Sequence, residues 1–248
     1  MSSVNGIVQP QAAILLTDGA HTARDGRLMA VGIKVAIFDE LRLAVAWNGR
    51  GVVHFIEEGL AGARTQREAL DALPAVLRDM VARNRRELPE GATEDEIGVR
   101  LLAALWSDEA DEPRLWAVEP DQVRLGPGYR PYSLVRMRAM LDTPTDRLPD
   151  IFGRAVDPAD PESFDPARDG LTLLEAQRRD PWGFPGEDAR YCAGGFAHIT
   201  TVARDGISER VLRTWPDRIG AMIDPFAERP RRGPGGLWSR LRGKAAAA

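Results

Sequence analysis

Residues 2–22 read SSVNGIVQPQAAILLTDGAHT, and this stretch has the clearest structural signal in the chain. Its centre, residues 12–17, is a short apolar run that ends at Asp18-Gly19. Apolar runs of this length bounded by glycine and aspartate are typical of strands. A small residue, Ser2, follows the initiator methionine.

Two further apolar runs complete the first fifty residues. Residues 28–38 (LMAVGIKVAIF) follow the turn signal Asp25-Gly26, and residues 41–47 (LRLAVAW) end at Asn48-Gly49. Their close spacing predicts antiparallel pairing.

Helices are predicted next. Residues 52–60 have a helical pattern, and Thr65 with Glu68 forms a capping-box signature. Behind that signature, apolar residues recur at helical spacing: Leu70, Leu73, Leu77, Met80 and Val81. Pro74 lies inside this pattern and predicts a kink or a restart of the helix.

The second half alternates between strands and helices. Residues 99–107 and 114–119 are predicted strands, although the periodicity of 99–107 also allows a helix. The remaining predictions are a Pro/Asp-rich surface loop at 143–169, a helix at 171–179, a hairpin of 191–203 with 207–214, and a short helix at 216–224. This order predicts an α+β fold of two packed sheets with helices outside.

Composition restricts the class of protein. The chain has 248 residues, a net charge of −4 and 44% hydrophobic residues, which excludes wholesale disorder. No apolar run is long enough to span a bilayer, and the N-terminus lacks the features of a secretory signal. The single cysteine, Cys192, excludes a disulfide framework and a Cys-rich zinc site. We therefore expect a cytoplasmic protein, and the acidic balance argues against a general nucleic-acid binder.

Lysine is unusually rare. The 33 basic residues comprise 31 arginines and two lysines, Lys34 and Lys244. Lys34 lies inside an apolar run, so the presence of a lysine at this position needs a specific explanation.

Three residues share one spacing. Ser2 and Asp18 are 16 positions apart, and Asp18 and Lys34 are another 16 apart. With the motif TDGAHT at 17–22, this register resembles the β subunits of proteasomes. In its motif it is most similar to the peptidase subunit of the bacterial two-component proteasome-like protease. The stretch AGGFAHI at 193–199 resembles the late Gly-Gly strand of the same family.

The resemblance implies an N-terminal-nucleophile hydrolase with a four-layer αββα sandwich of two antiparallel sheets. It implies a threonine-type peptidase family that cleaves peptide or amide bonds, needs no metal or organic cofactor, and assembles into homo-oligomeric rings. The implied catalytic residues are Ser2 after removal of Met1, Asp18, Lys34 and Gly49.

This chemistry has a physical basis. An N-terminal serine carries nucleophile and base on one residue, because a free α-amine has a pKa of about 8 and can accept the hydroxyl proton. Lys34 would supply a compact positive charge beside the hydroxyl, held by Asp18, where an arginine could not lose its proton. The Asn48-Gly49 turn would offer backbone N–H groups to the oxyanion.

Each residue also has a structural interpretation. Asp18-Gly19 and Asn48-Gly49 are turn signals on their own, and Lys34 can point to solvent from a half-exposed strand. The chain also departs from the family pattern. Ser2 replaces the usual threonine, and the positions of a supporting Asp and Ser hold Arg190 and Ala193, with Asp188 two positions away.

A further supporting serine is missing, because none occurs at residues 125–129, where we expect it. These departures leave an alternative function: a catalytically silent subunit of the same fold, serving structure or assembly, with a C-terminal docking tail.

The remaining candidates carry weaker signals. His21, His54 and His198 lack the spacing of a metal motif, and Cys192 has the sequence context of a small buried hydrophobe.

Residues 1–228 are predicted to form one domain, with the 143–169 loop as an insertion. Residues 229–248 are predicted to be a flexible basic tail with an apolar tip at Leu237, Trp238 and Leu241. The tail could dock to a partner groove, be attracted weakly to anionic surfaces, or stay solvated.

Overall fold

Two five-stranded antiparallel sheets face each other in the computed structural model, which describes residues 3–23, 25–49, 53–87, 99–121, 128–182 and 189–227. The first sheet contains, in spatial order, β10 (Ala139–Met140), β1 (Val4–Gln9), β2 (Ala12–Asp18), β11 (Phe196–Ala203) and β12 (Gly206–Thr214). The second contains β5 (Val35–Phe38), β6 (Leu43–Gly49), β7 (Val99–Ser107), β8 (Glu112–Val118) and β9 (Leu134–Met137). A separate hairpin joins β3 (Ala20–Thr22) to β4 (Leu28–Val31).

Helices cover the outer face of each sheet. They are α1 (Val53–Leu60), α2 (Gln66–Glu87), α3 (Leu148–Phe152) and α4 (Arg168–Arg179). Helices α1 and α2 pack on the second sheet, and α4 with the segment around Phe164 packs on the first. No helix in the described ranges is both long enough and apolar enough to cross a membrane.

The alternation of β2 shows why the sheets stack. Ala13 and Leu15 point into the core between the two sheets, whereas Ile14 and Leu16 point toward the α4 layer. A strand buried on both faces needs apolar side chains on both, which explains the unbroken apolar run at 12–16. The four layers, α, β, β and α, confirm the predicted α+β sandwich.

The predicted strand at 28–38 is wrong in one respect, because these residues form two strands that belong to two different sheets. β4 pairs with β3, whereas β5 pairs with β6 in the second sheet. Residues 32–34 make the crossing between them, where the Gly32 amide donates to the Gly19 carbonyl at 2.9 Å. Lys34 lies in this crossing.

Helix α2 continues through Pro74, so the predicted restart is wrong. Proline removes one hydrogen bond from a helix interior. Here Leu70, Leu73 and Leu77, on both sides of the proline, belong to one core against the second sheet. That shared apolar surface holds the two halves in one helix.

Residues 99–107 are a strand rather than a helix, and the hairpin around residues 204–206 is confirmed, although β11 begins only at Phe196. The segment 143–169 contains a 3₁₀ turn, Thr145–Arg147, and helix α3. Its interpretation as an insertion stays a prediction, and the tail from residue 229 lies outside the described residues.

The short helix predicted at 216–224 is wrong. The Leu28 amide donates to the Ala221 carbonyl at 2.9 Å, and the Gly220 amide donates to the Leu28 carbonyl at 2.8 Å. Gly220 has φ +84°, which is the left-handed region. The segment therefore pairs with the edge of β4 instead of bonding to itself.

Candidate active site

The carboxylate of Asp18, at the end of β2, is the centre of the site. Its Oδ1 accepts the Ser3 amide at 2.8 Å and the Lys34 ammonium at 2.6 Å. Its Oδ2 accepts the amides of Ala20 at 3.0 Å and Gly194 at 2.9 Å. Asp18 is fully buried, and four donors satisfy its two oxygens.

Lys34 is buried with its ammonium on this carboxylate. Its side chain is 1% exposed, and its carbonyl accepts the Trp47 amide at 3.3 Å. Burial lowers the pKa of Lys34 from its ordinary value, because a charged amine loses hydration. The charge and hydrogen bond of Asp18 oppose this shift, as does the charge of Asp142.

The Gly-Gly segment brings the third amide to Asp18. Gly194 leaves no room for a side chain, since a Cβ there would lie 2.6 Å from an Asp217 oxygen. Arg178 forms a buried ion pair with Asp217, at 2.7 Å, and also donates to the Ala193 carbonyl at 3.0 Å. Asp217 in turn accepts the Gly195 amide at 2.8 Å. The ion pair thus fixes the segment that presents the Gly194 amide.

Asn48 and Gly49 are the last two residues of β6 rather than a turn. Gly49 has φ +98°, a conformation that favours glycine. Trp47, the backbone partner of Lys34, is two residues before Gly49, so this strand end lies beside the crossing that carries Lys34. The Asn48 side-chain amide donates to both oxygens of Asp142, at 3.2 and 3.0 Å.

The structure therefore brings Asp18 and Lys34 into direct contact. It places Gly49 at the end of β6, the strand that pairs with β5 directly after Lys34. Ser2 lies outside the described residues, but Ser3, the next residue, is bound to Asp18 through its amide. Asp188 also lies outside the described residues.

The three histidines do not form one site. His54 is exposed on α1 beside Glu58, whereas His198 is buried on β11 with its Nε2 3.3 Å from Glu209. His21 is half-buried, and its burial and the Lys34 charge lower its pKa to about 4. Within the described ranges no cluster of three or more His, Cys, Asp or Glu could hold a metal ion.

His198 makes stability depend on pH. Burial lowers its pKa from 6.5 to about 4, so the unfolded chain binds more protons in that interval and stability falls as pH drops through it. Because Glu209 would partly compensate a charged imidazole, we expect a loss of about 2 kcal/mol at pH 4 relative to pH 7.

Urea unfolding at several pH values tests this expectation. His198→Gln should show a shallower fall in stability between pH 6.5 and 4 than the wild type, whereas the exposed-site control His54→Gln should follow the wild type. An unchanged pH dependence in His198→Gln would contradict it.

Sequence reasoning missed three residues: Asp142, Arg178 and Asp217. Each is an ordinary charged residue in a helix or an irregular segment, and only the folded chain brings them to the site. The Pro that follows Thr143 marks a turn, and this was the only local signal near Asp142.

No protein-family model matches the chain, and no curated protein matches it in sequence. Among solved structures, it is similar to the Anbu (Gly-1) mutant from Hyphomicrobium sp. strain MC1, with a TM-score of 0.53 and 11% identity. The match covers 88% of this chain and 89% of that one. Anbu is a bacterial protein with a proteasome-like fold.

This chain has a proteasome-like fold. The fold implied by the resemblance at residues 2–34 is thereby confirmed. At 11% identity the similarity concerns the fold alone.

Proposed function

We propose that the protein is an N-terminal-nucleophile hydrolase that cleaves peptide or amide bonds, with Ser2 as its nucleophile once Met1 is removed. One observation carries the proposal: a single oxygen of Asp18 binds both the Lys34 ammonium and the Ser3 amide. Since Ser2 is joined to that amide nitrogen by the peptide bond, the new chain start would begin one residue from the buried ion pair.

The proposed reaction uses the chain's own groups. The Ser2 hydroxyl oxygen attacks the carbonyl carbon of the scissile bond, and its proton passes to the Ser2 α-amine. Backbone N–H groups at the end of β6, Gly49 among them, would stabilise the oxyanion. The departing amine takes up the proton, and water then hydrolyses the Ser2 ester, which restores the hydroxyl.

Lys34 would act through its charge. An ammonium close to the hydroxyl favours the developing alkoxide, and burial strengthens this effect because little water screens it. Asp18 keeps the ammonium in place, and its remaining oxygen is occupied by two backbone amides. The carboxylate thus cannot turn away from Lys34 without losing those bonds.

The proposal is tested by intact mass spectrometry and by a β-lactone probe. The purified protein should lack Met1, and the probe should add one acyl group to Ser2. Ser2→Ala should abolish labelling, because it removes the attacking oxygen. Ser3→Ala is the matched control and should be labelled like the wild type, since the described contacts of Ser3 with Asp18 are made by its backbone N–H and carbonyl and survive the substitution.

Retention of Met1 would leave no free amine at Ser2 and would favour the catalytically silent subunit. Labelling of another residue would contradict the assignment of Ser2 even if hydrolysis were observed. The ring assembly implied by the resemblance and the cytoplasmic location expected from the composition belong to the same proposal.

A further inference from the structure

Asp142 connects two parts of the candidate site that are far apart in sequence. Its Oδ2 accepts the Val4 amide, in the first residue of β1, at 2.6 Å. The same carboxylate accepts the side-chain amide of Asn48, near the end of β6, at 3.2 and 3.0 Å. It therefore joins the strand that begins just after Ser2 to the strand end that carries Gly49.

The contact is reinforced from both sides. Arg100, on the β7 strand next to β6, donates to Asp142 and to the Val4 carbonyl, the latter at 3.2 Å. The Asp142 amide donates to the Asn5 side chain at 2.9 Å. The side chain of Arg100 is 4% exposed and that of Asp142 is 14% exposed, so water screens these charges little.

The first residues of the chain are consequently held one after another. Asp18 binds the Ser3 amide, Asp142 binds the Val4 amide, and Gln177 on α4 donates to the Asn5 side chain at 2.8 Å. A nucleophile at the chain start has no preceding residue to hold it, so its position depends on such contacts downstream.

We infer that Asp142 is a positioning residue of the proposed hydrolase, which sets the distance between the chain start and the oxyanion-binding end of β6. The inference rests on the proposed function. Contacts of this kind matter because a displacement of about 1 Å in an active site can reduce the rate by about 100-fold.

The charge of Asp142 has a second effect. It raises the pKa of Lys34 against the lowering by burial, together with Asp18, while His21, whose pKa is lowered to about 4, interacts with the same ammonium as a neutral imidazole. Loss of the Asp142 charge should therefore move the deprotonation of Lys34 to lower pH, which a purely structural contact would not do.

Asp142→Asn tests the inference. All of the partners of its carboxylate are donors, so whichever oxygen becomes NH₂ would face two of these contacts. We expect acylation of Ser2 by the β-lactone to slow about 10- to 100-fold, with little change in the concentration for half-maximal rate. The decline of the rate at high pH should begin at lower pH than in the wild type.

Two further variants keep the test decisive. Asn48→Ala removes the same link from the β6 side. If the two residues act through this link, Asn48→Ala should slow the Asp142→Asn variant much less than it slows the wild type. Asp146→Asn, an exposed carboxylate in the following 3₁₀ turn, should react like the wild type. If Asp142→Asn does not fold, Asn48→Ala alone should still show the loss of rate.

Normal rates in folded Asp142→Asn and in Asn48→Ala would overturn the role of Asp142 while leaving the hydrolase proposal intact. Equal losses in Asp146→Asn and Asp142→Asn would also overturn it. An unlabelled Ser2 in the wild type would instead overturn the proposed function, and this inference with it.

Discussion

Lys34→Met is expected to lower the rate of Ser2 acylation by about 10²- to 10⁴-fold while leaving the fold intact. Methionine fills a similar volume without the charge, so the hydroxyl loses the ammonium that favours its ionised form. The Asp18 carboxylate loses its buried counter-charge, but stability should fall less than in Asp18→Asn, because the carboxylate keeps the amides of Ser3, Ala20 and Gly194 as donors. The measurements are the second-order rate of β-lactone labelling and the free energy of unfolding in urea.

Lys244→Met is the matched control for this substitution. Lys244 is the other lysine of the chain and lies in the tail, 210 positions after Lys34. The Lys244→Met variant should be labelled at Ser2 at the wild-type rate. Lys34→Arg keeps the positive charge, but its larger, planar head does not match the fully buried position of the ammonium, so it should recover little of the rate. A Lys34→Met variant that labels as fast as the wild type would exclude a catalytic role for Lys34.

The resemblance to proteasome β subunits implied the contact between Asp18 and Lys34, because the spacing of Ser2, Asp18 and Lys34 matches that family in the part of the chain that the resemblance covers best. Asp18 follows an apolar run whose end is marked by a glycine, and Lys34 is conspicuous in a chain that otherwise uses arginine. A charged residue inside an apolar run is a local signal. The contact between the two therefore needed no knowledge of distant segments.

Asp142 could not be found in this way. Its partners Val4, Asn48 and Arg100 are 138, 94 and 42 positions away, and it is one of 37 acidic residues. It follows β10, a strand of two residues that is too short to show any periodicity. Its place depends on the pairing of β10 with β1, which no local pattern encodes.

The division of residues 28–38 into two separate strands could not be predicted from the sequence for a related reason. β4 and β5 are both apolar, so the sequence shows no change of pattern where the chain leaves the hairpin for the second sheet. Only Gly32 marks the crossing, and an isolated glycine in a strand pattern is as readily explained by a bulge. The same ambiguity made Lys34 look like a half-exposed strand residue, whereas it is almost completely buried.

Asp18→Asn is expected to cost about 3–5 kcal/mol of folding free energy, the usual penalty for leaving one member of a buried ion pair without its partner. All four partners of Asp18 are donors, so whichever oxygen becomes NH₂ faces two of them. Asp71→Asn on the surface of α2, where the carboxylate pairs with Arg67, is the control and should cost less than about 1 kcal/mol.

The double variant Asp18→Asn with Lys34→Met identifies the source of this cost. If the unpaired ammonium causes much of this cost, removing it should make the double variant more stable than Asp18→Asn alone. Two independent destabilising substitutions would instead make the double variant less stable.

The pH dependence of stability gives a second check. Without Asp18 the pKa of Lys34 in the folded state falls further below that of the unfolded chain, so Asp18→Asn should gain stability as pH rises from 7 toward 10. The wild type should gain less over the same range, because Asp18 limits that shift. If the double variant is less stable than Asp18→Asn, and Asp18→Asn itself gains no stability at high pH, then the hydrogen bonds lost at the new NH₂ group, rather than the charge of Lys34, determine the stability of the site.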